Sequence, residues 1–204
     1  MNGIRDAKAA MRHEVLARRD AMREAARVEA SLAIAEKADA ELSFEPGKII
    51  SGFLPIRSEL DPRPLMLLLA DRGARLCVPA IVDGHLEFRE LIQGCELEPQ
   101  GFGTYAPGPE ATVLDPDIML VPMSAFDARC HRIGYGRGYY DRAIETLTGK
   151  GKAPLLAGLA FAVQEVPEVP IEAHDVGLDF IVTERGVYRA ERKPRGGAAN
   201  TWVK

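Results

Sequence analysis

Short apolar runs recurring along the chain, with helix-compatible stretches between them, constrain this fold more than any other feature. "KIISGF" (48–53), "ARLCVPAIV" (74–82), "DIMLVPM" (117–123), "APLLAGLAFA" (153–162) and "LDFIVTE" (178–184) read as buried strands. Between the first two, "PRPLMLLLADRG" (62–73) predicts a helix, with Asp61 as N-cap, Pro62 at its first position and Gly73 just past its end. A second helix is expected from about Gly138 to Leu147. Strand, helix, strand, then strand, loop, helix, strand is the order of an α/β fold with a mainly parallel sheet. Such sheets bind ligands beyond the carboxyl ends of their strands.

The remaining segments are weaker signals. Residues 2–42 contain no proline and are dominated by helix formers, so one long N-terminal helix is expected. Along it Lys8, Arg12, Arg19, Arg23 and Arg27 fall within an arc of roughly 100° at helical spacing. That stripe is either a solvated basic face or, in part, a contact for an anionic ligand. Asp83-Gly84 predicts a turn into an exposed strand, "HLEFREL" (85–91). Residues 92–116, rich in Gly, Pro and Glu, read as an irregular connection, and 124–137 as a loop. The expectation is a single domain over residues 1–188 with a flexible tail at 189–204, in which Trp202 has no role.

Charge and composition narrow the function classes. A net charge of −4 argues against a nucleic-acid coat or a protein of anionic membrane surfaces. No apolar run approaches the roughly 18 residues of a membrane span, and "MNGIRDAKAAMRHEV" carries charges where a secretory leader needs an apolar core. Cys77, Cys95 and Cys130 form no CxxC pair and no disulfide framework, which with the rest predicts a cytoplasmic protein. His13, His85, His131 and His174 lack metal-ligand spacing; of the four, His174 is placed nearest any site. Cys130 is a weak candidate nucleophile, with only neighbouring His131 as a base.

The chemistry concentrates in "RIGYGRGYYDR" (132–142). Gly134, Gly136 and Gly138 let backbone approach a ligand closely, and the loop opens a helix whose first amides are unpaired. Together these suit a phosphate, with Arg132, Arg137 and Arg142 adding charge. The spacing is neither a Walker A loop nor a dinucleotide fingerprint, so on glycines alone a tight structural turn stands equal to a phosphate seat. Tyr135, Tyr139 and Tyr140, three of the chain's five tyrosines, favour the ligand, since phenol faces stack on flat heterocycles. Asp141, in the first helical turn, is a helix-start carboxylate or a partner for Mg2+.

Within a longer window, "AFDARCHRIGYGRGYYDR" (125–142) resembles the signature of the 5-formyltetrahydrofolate cyclo-ligase (5,10-methenyltetrahydrofolate synthetase) family. Lys8 and Arg12 match that family's N-terminal K-x-x-x-R, "GFLPIRSELDP" (52–62) its strand and acidic turn, "GFGTYAPGP" (101–109) a later GxxxP region, and "VPIEAHDVGLDFIVTERGV" (169–187) its closing segment. The resemblance spans about residues 5–187 and implies a three-layer, Rossmann-like α/β sandwich with a long N-terminal helix. It implies an ATP- and Mg2+-dependent conversion of 5-formyltetrahydrofolate to 5,10-methenyltetrahydrofolate, with ATP and the folate as small-molecule partners and no nucleic acid or membrane. A monomer or small homo-oligomer is expected.

By motif, the resemblance assigns ATP to Lys8, Arg12, Arg132, Gly134, Tyr135, Gly136, Arg137, Gly138, Tyr139, Tyr140 and Asp141. It assigns the folate to Leu54, Glu59, Tyr139 and Tyr140, the metal to Asp141 and Asp175, and catalysis to Arg137, Tyr140 and Asp141. Two positions depart from the family pattern. Cys130 stands where glycine is usual and is strained if that turn needs positive φ. Arg137 also stands at a frequent glycine position and would add a phosphate contact or narrow the folate entrance. The alternatives are a non-catalytic folate- or nucleotide-binding relative, and an ATP-dependent enzyme acting on another N-formyl substrate.

Overall fold

A computed structural model describes residues 3–101 and 103–191. The chain runs α1 (Gly3–Asp20), α2 (Glu24–Glu41), β1 (Ile49–Ser51), α3 (Arg63–Asp71), β2 (Arg75–Val82), β3 (His85–Glu90), β4 (Leu97–Gly101), β5 (Thr104–Pro107), β6 (Ile118–Val121), β7 (Ala125–Phe126), β8 (Arg132–Ile133), α4 (Tyr139–Gly149), β9 (Leu155–Leu159), β10 (Phe180–Val182) and β11 (Val187–Arg189). Seven strands form one sheet in the order β11-β10-β9-β6-β1-β2-β3. The five central ones pair in parallel, and antiparallel β3 and β11 close its two edges. The expected α/β architecture is what the chain adopts.

Strand alternation builds three layers. Ile118, Leu120, Phe180 and Val182 point to one face, where they pack with Ile34 and Ala38 of α2 and Leu65 and Leu69 of α3. Met119, Val121 and Ile181 point to the other, against Ala143, Ile144 and Leu147 of α4. Helix α1 covers neither face. It lies across the loop end, and its Met11 and Val15 pack with Ala125, Ile133, Val166 and Val169.

The expected continuous helix over 2–42 is two helices, broken at residues 21–23 with Arg23 extended at φ −63°, ψ 145°. No glycine or proline marks the break. A straight helix of that length would run roughly 60 Å, longer than the roughly 35–45 Å expected of the whole fold. Met22 instead turns into the core beside α2. The 92–116 connection holds the β4–β5 hairpin, which its low hydrophobicity concealed, and the 124–137 loop holds the β7–β8 hairpin. Pro62 is the N-cap of α3 rather than its first residue, and Asp61 accepts the Arg63 N–H at 3.0 Å from one position earlier. Strand β3 is not an exposed edge, because Phe88 and Arg89 are buried under the 104–114 segment. Asp83 and Gly84 both take positive φ, as a two-residue hairpin turn requires. Arg189, at the head of the expected tail, pairs with Phe180 in the sheet; residues 192–204, Trp202 among them, lie outside the described residues.

The chain leaves β1 in one direction through α3 to β2 and β3, then returns past β1 to β6 and continues outward to β9 and β10. The direction of winding therefore reverses between β1 and β6. A crevice opens at such a point because the connections after the two strands diverge to opposite sides. The segment after β1 carries Leu54 and Glu59, and the segment after β6 carries the glycine loop.

Candidate functional site

Two cavities meet at this crevice, and residues 134–141 form the wall between them. The larger, about 990 Å³, is bounded by α1, the glycine loop, α4 and the 172–176 segment. Among the described residues its lining has six cationic side chains (Arg5, Lys8, Arg12, Arg132, Arg137, Arg142) against four carboxylates (Asp141, Glu145, Glu172, Asp175). The smaller, about 290 Å³, is apolar and aromatic, lined by Phe53, Leu54, Ile56, Pro79, Ile81 and Leu86 with Tyr105, Tyr135, Tyr139 and Tyr140. Arg132, Gly134, Arg137, Gly138 and Asp141 line both.

The loop is shaped by its own backbone. Gly136 takes φ 90° and Gly138 φ 63°, a region that side chains disfavour. A Cβ on Gly136 would sit 3.3 Å from the Arg12 guanidinium. The missing side chain is thus what lets Arg12 lie against the loop, where its Nε donates to the Gly134 carbonyl at 2.7 Å. Burial holds Arg12 below its usual guanidinium value. Gly138 caps α4 with no side-chain hydrogen bond, so the first amides of an 11-residue helix have no side-chain cap where the two cavities meet. Arg142 donates to the Arg137 carbonyl at 2.8 Å and lies over the Tyr139 ring, bracing the loop.

Upstream, Asp127 organises the β7–β8 hairpin. It is fully buried and accepts the N–H groups of Arg129 at 3.0 Å, His131 at 3.1 Å and Val169 at 3.0 Å. Burial opposes its charge, but the amides of Val169 and His131 and the Arg129 guanidinium outweigh that and hold the carboxyl below its usual range. Cys130 sits in the turn of this hairpin at φ 64° and is fully buried, so the strain expected from replacing glycine is present. It faces the core beside Phe126 and Leu178, away from either cavity.

The basic stripe divides at the helix break. Lys8 and Arg12 line the large cavity, while Arg19, 2% exposed, reaches the segment after β1. Arg23 caps α2, and Arg27 donates to the Met22 carbonyl at 2.8 Å. Lys8 pairs with Glu172 at 2.9 Å and with Asp175. Burial disfavours its charge, yet these two carboxylates hold it above the usual ammonium value, and Lys8 in turn holds Glu172 below its own. Glu172, His174 and Asp175 offer ligand atoms all within 4.8 Å of one another. Asp141 is not in that group: its Oδ1 accepts from Arg132 at 2.9 Å and from the Val176 N–H at 3.1 Å. Arg132 is buried and also donates to the Val176 carbonyl.

On the apolar side, Glu59 accepts from the Tyr135 hydroxyl and from the Ile56 N–H at 2.9 Å. Burial raises its carboxyl despite those bonds. Tyr139 and Tyr140 line this cavity, as does Tyr135, assigned to ATP by motif; none of the three lines the basic one. The Tyr140 hydroxyl is buried without a partner among the described residues, and burial pushes its ionisation upward.

The structure thus brings Lys8, Arg12 and Asp175 to one cavity, Leu54, Glu59 and the tyrosines to the other, and Arg132, Arg137 and Asp141 to the lining of both. Sequence reasoning passed over Glu172, Asp127 and the separate direction of Arg19. Glu172 stood three residues before Asp175 in an acidic segment, Asp127 lay inside the quoted motif without a role, and only the helix break redirects Arg19.

Comparison with known proteins locates this architecture. Residues 4–184 match the model of the 5-formyltetrahydrofolate cyclo-ligase family. The mouse 5-formyltetrahydrofolate cyclo-ligase is 25% identical over 89% of this chain and 95% of its own length. The Escherichia coli K12 enzyme of the same name is 29% identical over 68% of this chain and 79% of its own. The NMR structure of 5,10-methenyltetrahydrofolate synthetase from Aquifex aeolicus superposes with TM-score 0.76 at 27% identity, covering 95% of this chain and 98% of that one. The Mycoplasma pneumoniae synthetase, at 23% identity and TM-score 0.70, shares the fold.

Proposed function

We propose that this chain, which belongs to the 5-formyltetrahydrofolate cyclo-ligase family, uses Mg-ATP to convert 5-formyltetrahydrofolate to 5,10-methenyltetrahydrofolate, releasing ADP and phosphate. The observation that carries this reading is the glycine loop standing as a shared wall, with a cation-rich cavity on one side and an apolar, tyrosine-lined one on the other. A triphosphate suits the first and a reduced pterin suits the second. Their reacting ends then meet at the residues common to both. Both cavities are built from residues 5–176, which supports one functional domain over 1–188.

A formamide is a poor electrophile because its nitrogen donates into the carbonyl. In the proposed reaction the formyl oxygen attacks the γ-phosphorus, ADP leaves, and the oxygen becomes part of a phosphate leaving group. N10 then adds to the formyl carbon, its proton is lost, and phosphate departs as the ring closes. No protein nucleophile is needed. The chain must align two ligands and stabilise phosphate charge. Lys8, Arg12 and Arg137 serve the phosphates, with the open amides at the start of α4 directed at the same anion. Arg132 positions Asp141, and Tyr139, Tyr140 and Leu54 enclose the ring.

Magnesium fits the donor set, because Asp175 and Glu172 present hard carboxylate oxygens in the lining of the phosphate cavity, to which Asp141 also contributes. An ion held there would neutralise charge on the phosphate oxygens, and Lys8, which pairs with both carboxylates, would be available to phosphate.

The test is direct. Purified protein with 5-formyltetrahydrofolate and Mg-ATP should form methenyltetrahydrofolate, followed by its ultraviolet absorbance, and none without ATP. Binding of both ligands with no product would establish a non-catalytic relative instead. ATP hydrolysis driven by another N-formyl compound but not by this folate would replace the substrate.

A further inference from the structure

The segment after β1, the glycine loop and α1 converge on one buried side chain, Arg19. Its residue is 2% exposed, and it lines neither cavity. Nε donates to Ser58 Oγ at 3.0 Å and Nη1 to the Tyr135 hydroxyl at 2.9 Å, with the guanidinium carbon 5.9 Å from the Tyr135 ring centre. The Tyr135 hydroxyl passes its own proton to Glu59 Oε1, and Ser58 passes its own to Asp20. Glu59 Oε2 is fixed by the Ile56 N–H. Arg19 fills the acceptor side of the Tyr135 hydroxyl and so holds its proton on the side of the Glu59 carboxylate, which can only accept. Burying a guanidinium is costly unless it is bonded to something that needs it.

We propose that Arg19 is a positioning residue of the apolar cavity, acting through Tyr135 to hold Glu59 as an oriented carboxylate that accepts the adjacent N–H donors of an aminopyrimidinone ring. The inference rests on the folate reading above and deepens it by naming how the ring edge is recognised. Three groups face Glu59 from the elements around it: Arg19 from α1, Tyr135 from the glycine loop and Tyr140 from α4. Of these only Arg19 carries a charge near neutral pH, and it favours the carboxylate form. Without the relay, burial drives Glu59 toward its neutral acid, which presents one acceptor fewer and a misplaced donor. Tyr135 then belongs to folate recognition, not to the nucleotide.

The experiment measures equilibrium binding of 5-formyltetrahydrofolate and, separately, of Mg-ATP by calorimetry between about pH 5 and 8. The variants are Tyr135→Phe, Arg19→Met, Arg19→Lys and Glu59→Gln. Tyr135→Phe removes one hydroxyl from a partly exposed ring and leaves packing intact. It should weaken folate binding about tenfold, leave Mg-ATP affinity unchanged, and move the acid limb of folate affinity to higher pH. Arg19→Met should do the same, and Arg19→Lys should recover part of the loss. Glu59→Gln should abolish the acid limb. Unchanged folate affinity and pH limb in Tyr135→Phe would overturn the relay, as would a loss confined to Mg-ATP. Wild-type protein that binds no folate would remove both this inference and the folate reading. Wild-type protein that binds folate but turns nothing over removes only the reaction, and the relay is still decided by the affinities.

Discussion

At Cys130 the backbone holds a side chain at φ 64° inside the core, and three opposing effects can be weighed. A non-glycine residue in the left-handed region costs about 1–2 kcal/mol. Glycine there would remove that strain but add about 0.5–1 kcal/mol of chain entropy to the unfolded state. It would also forfeit about 1 kcal/mol of buried thiol contact with Phe126 and Leu178. The sum is close to zero, so a side chain at this positive φ is tolerated without rescue. Cys130→Gly should therefore shift the urea-unfolding free energy by less than about 1 kcal/mol. Cys130→Val, which adds β-branching at positive φ and volume in a packed site, should cost more than about 2 kcal/mol.

Among the elements, the β7–β8 hairpin sets where the glycine loop begins, and Asp127 sets the hairpin. A two-residue strand pair cannot hold itself together. It is held by the Asp127 carboxylate, which gathers three backbone N–H groups and ties the 169 segment to the loop. Asp127→Asn places an amide among donors and should destabilise by about 2–4 kcal/mol. The pH dependence has a definite sign. The folded carboxyl titrates below its unfolded value, so its contribution is fully present above the ordinary carboxylate range and is lost as pH falls through the folded value. Urea midpoints taken between about pH 6 and 2.5 should fall steeply for wild type and less steeply for Asp127→Asn.

For the molecule as a whole, ligands filling the two cavities as proposed should add measurably to stability. Ligand at 100 times its dissociation constant adds about 2.7 kcal/mol. For a chain of this size that is a rise in Tm of about 5–10 °C, visible by calorimetry with Mg-ATP. Chelating the magnesium with EDTA should remove most of the rise, because ATP alone meets Glu172 and Asp175 un-neutralised and competes with them for Lys8. An equal rise with and without the chelator would separate those carboxylates from the metal.

The sequence by itself determined the five parallel strands, the α/β class and the loop that divides the site. Runs such as "IMLV" (118–121) and "FIV" (180–182) are apolar at every position, which a sheet covered on both faces tolerates. "GYGRGYYDR" joins backbone freedom, aromatic faces and charge in one segment, so its role needed no distant partner to be seen. Residues whose meaning depends on what lies opposite stayed hidden. Arg19 reads as one more surface cation until the break at residues 21–23 lets α1 cross the loop end and bury it against Ser58 and Tyr135. Tyr135 lines only the apolar cavity, where its hydroxyl donates to Glu59 from β1's side of the crevice. Local patterning encodes which segments are buried and which bend. Which charge meets which is decided by strand order, because the sheet's reversal between β1 and β6 brings residues 59 and 135 together, and no spacing along the chain records that.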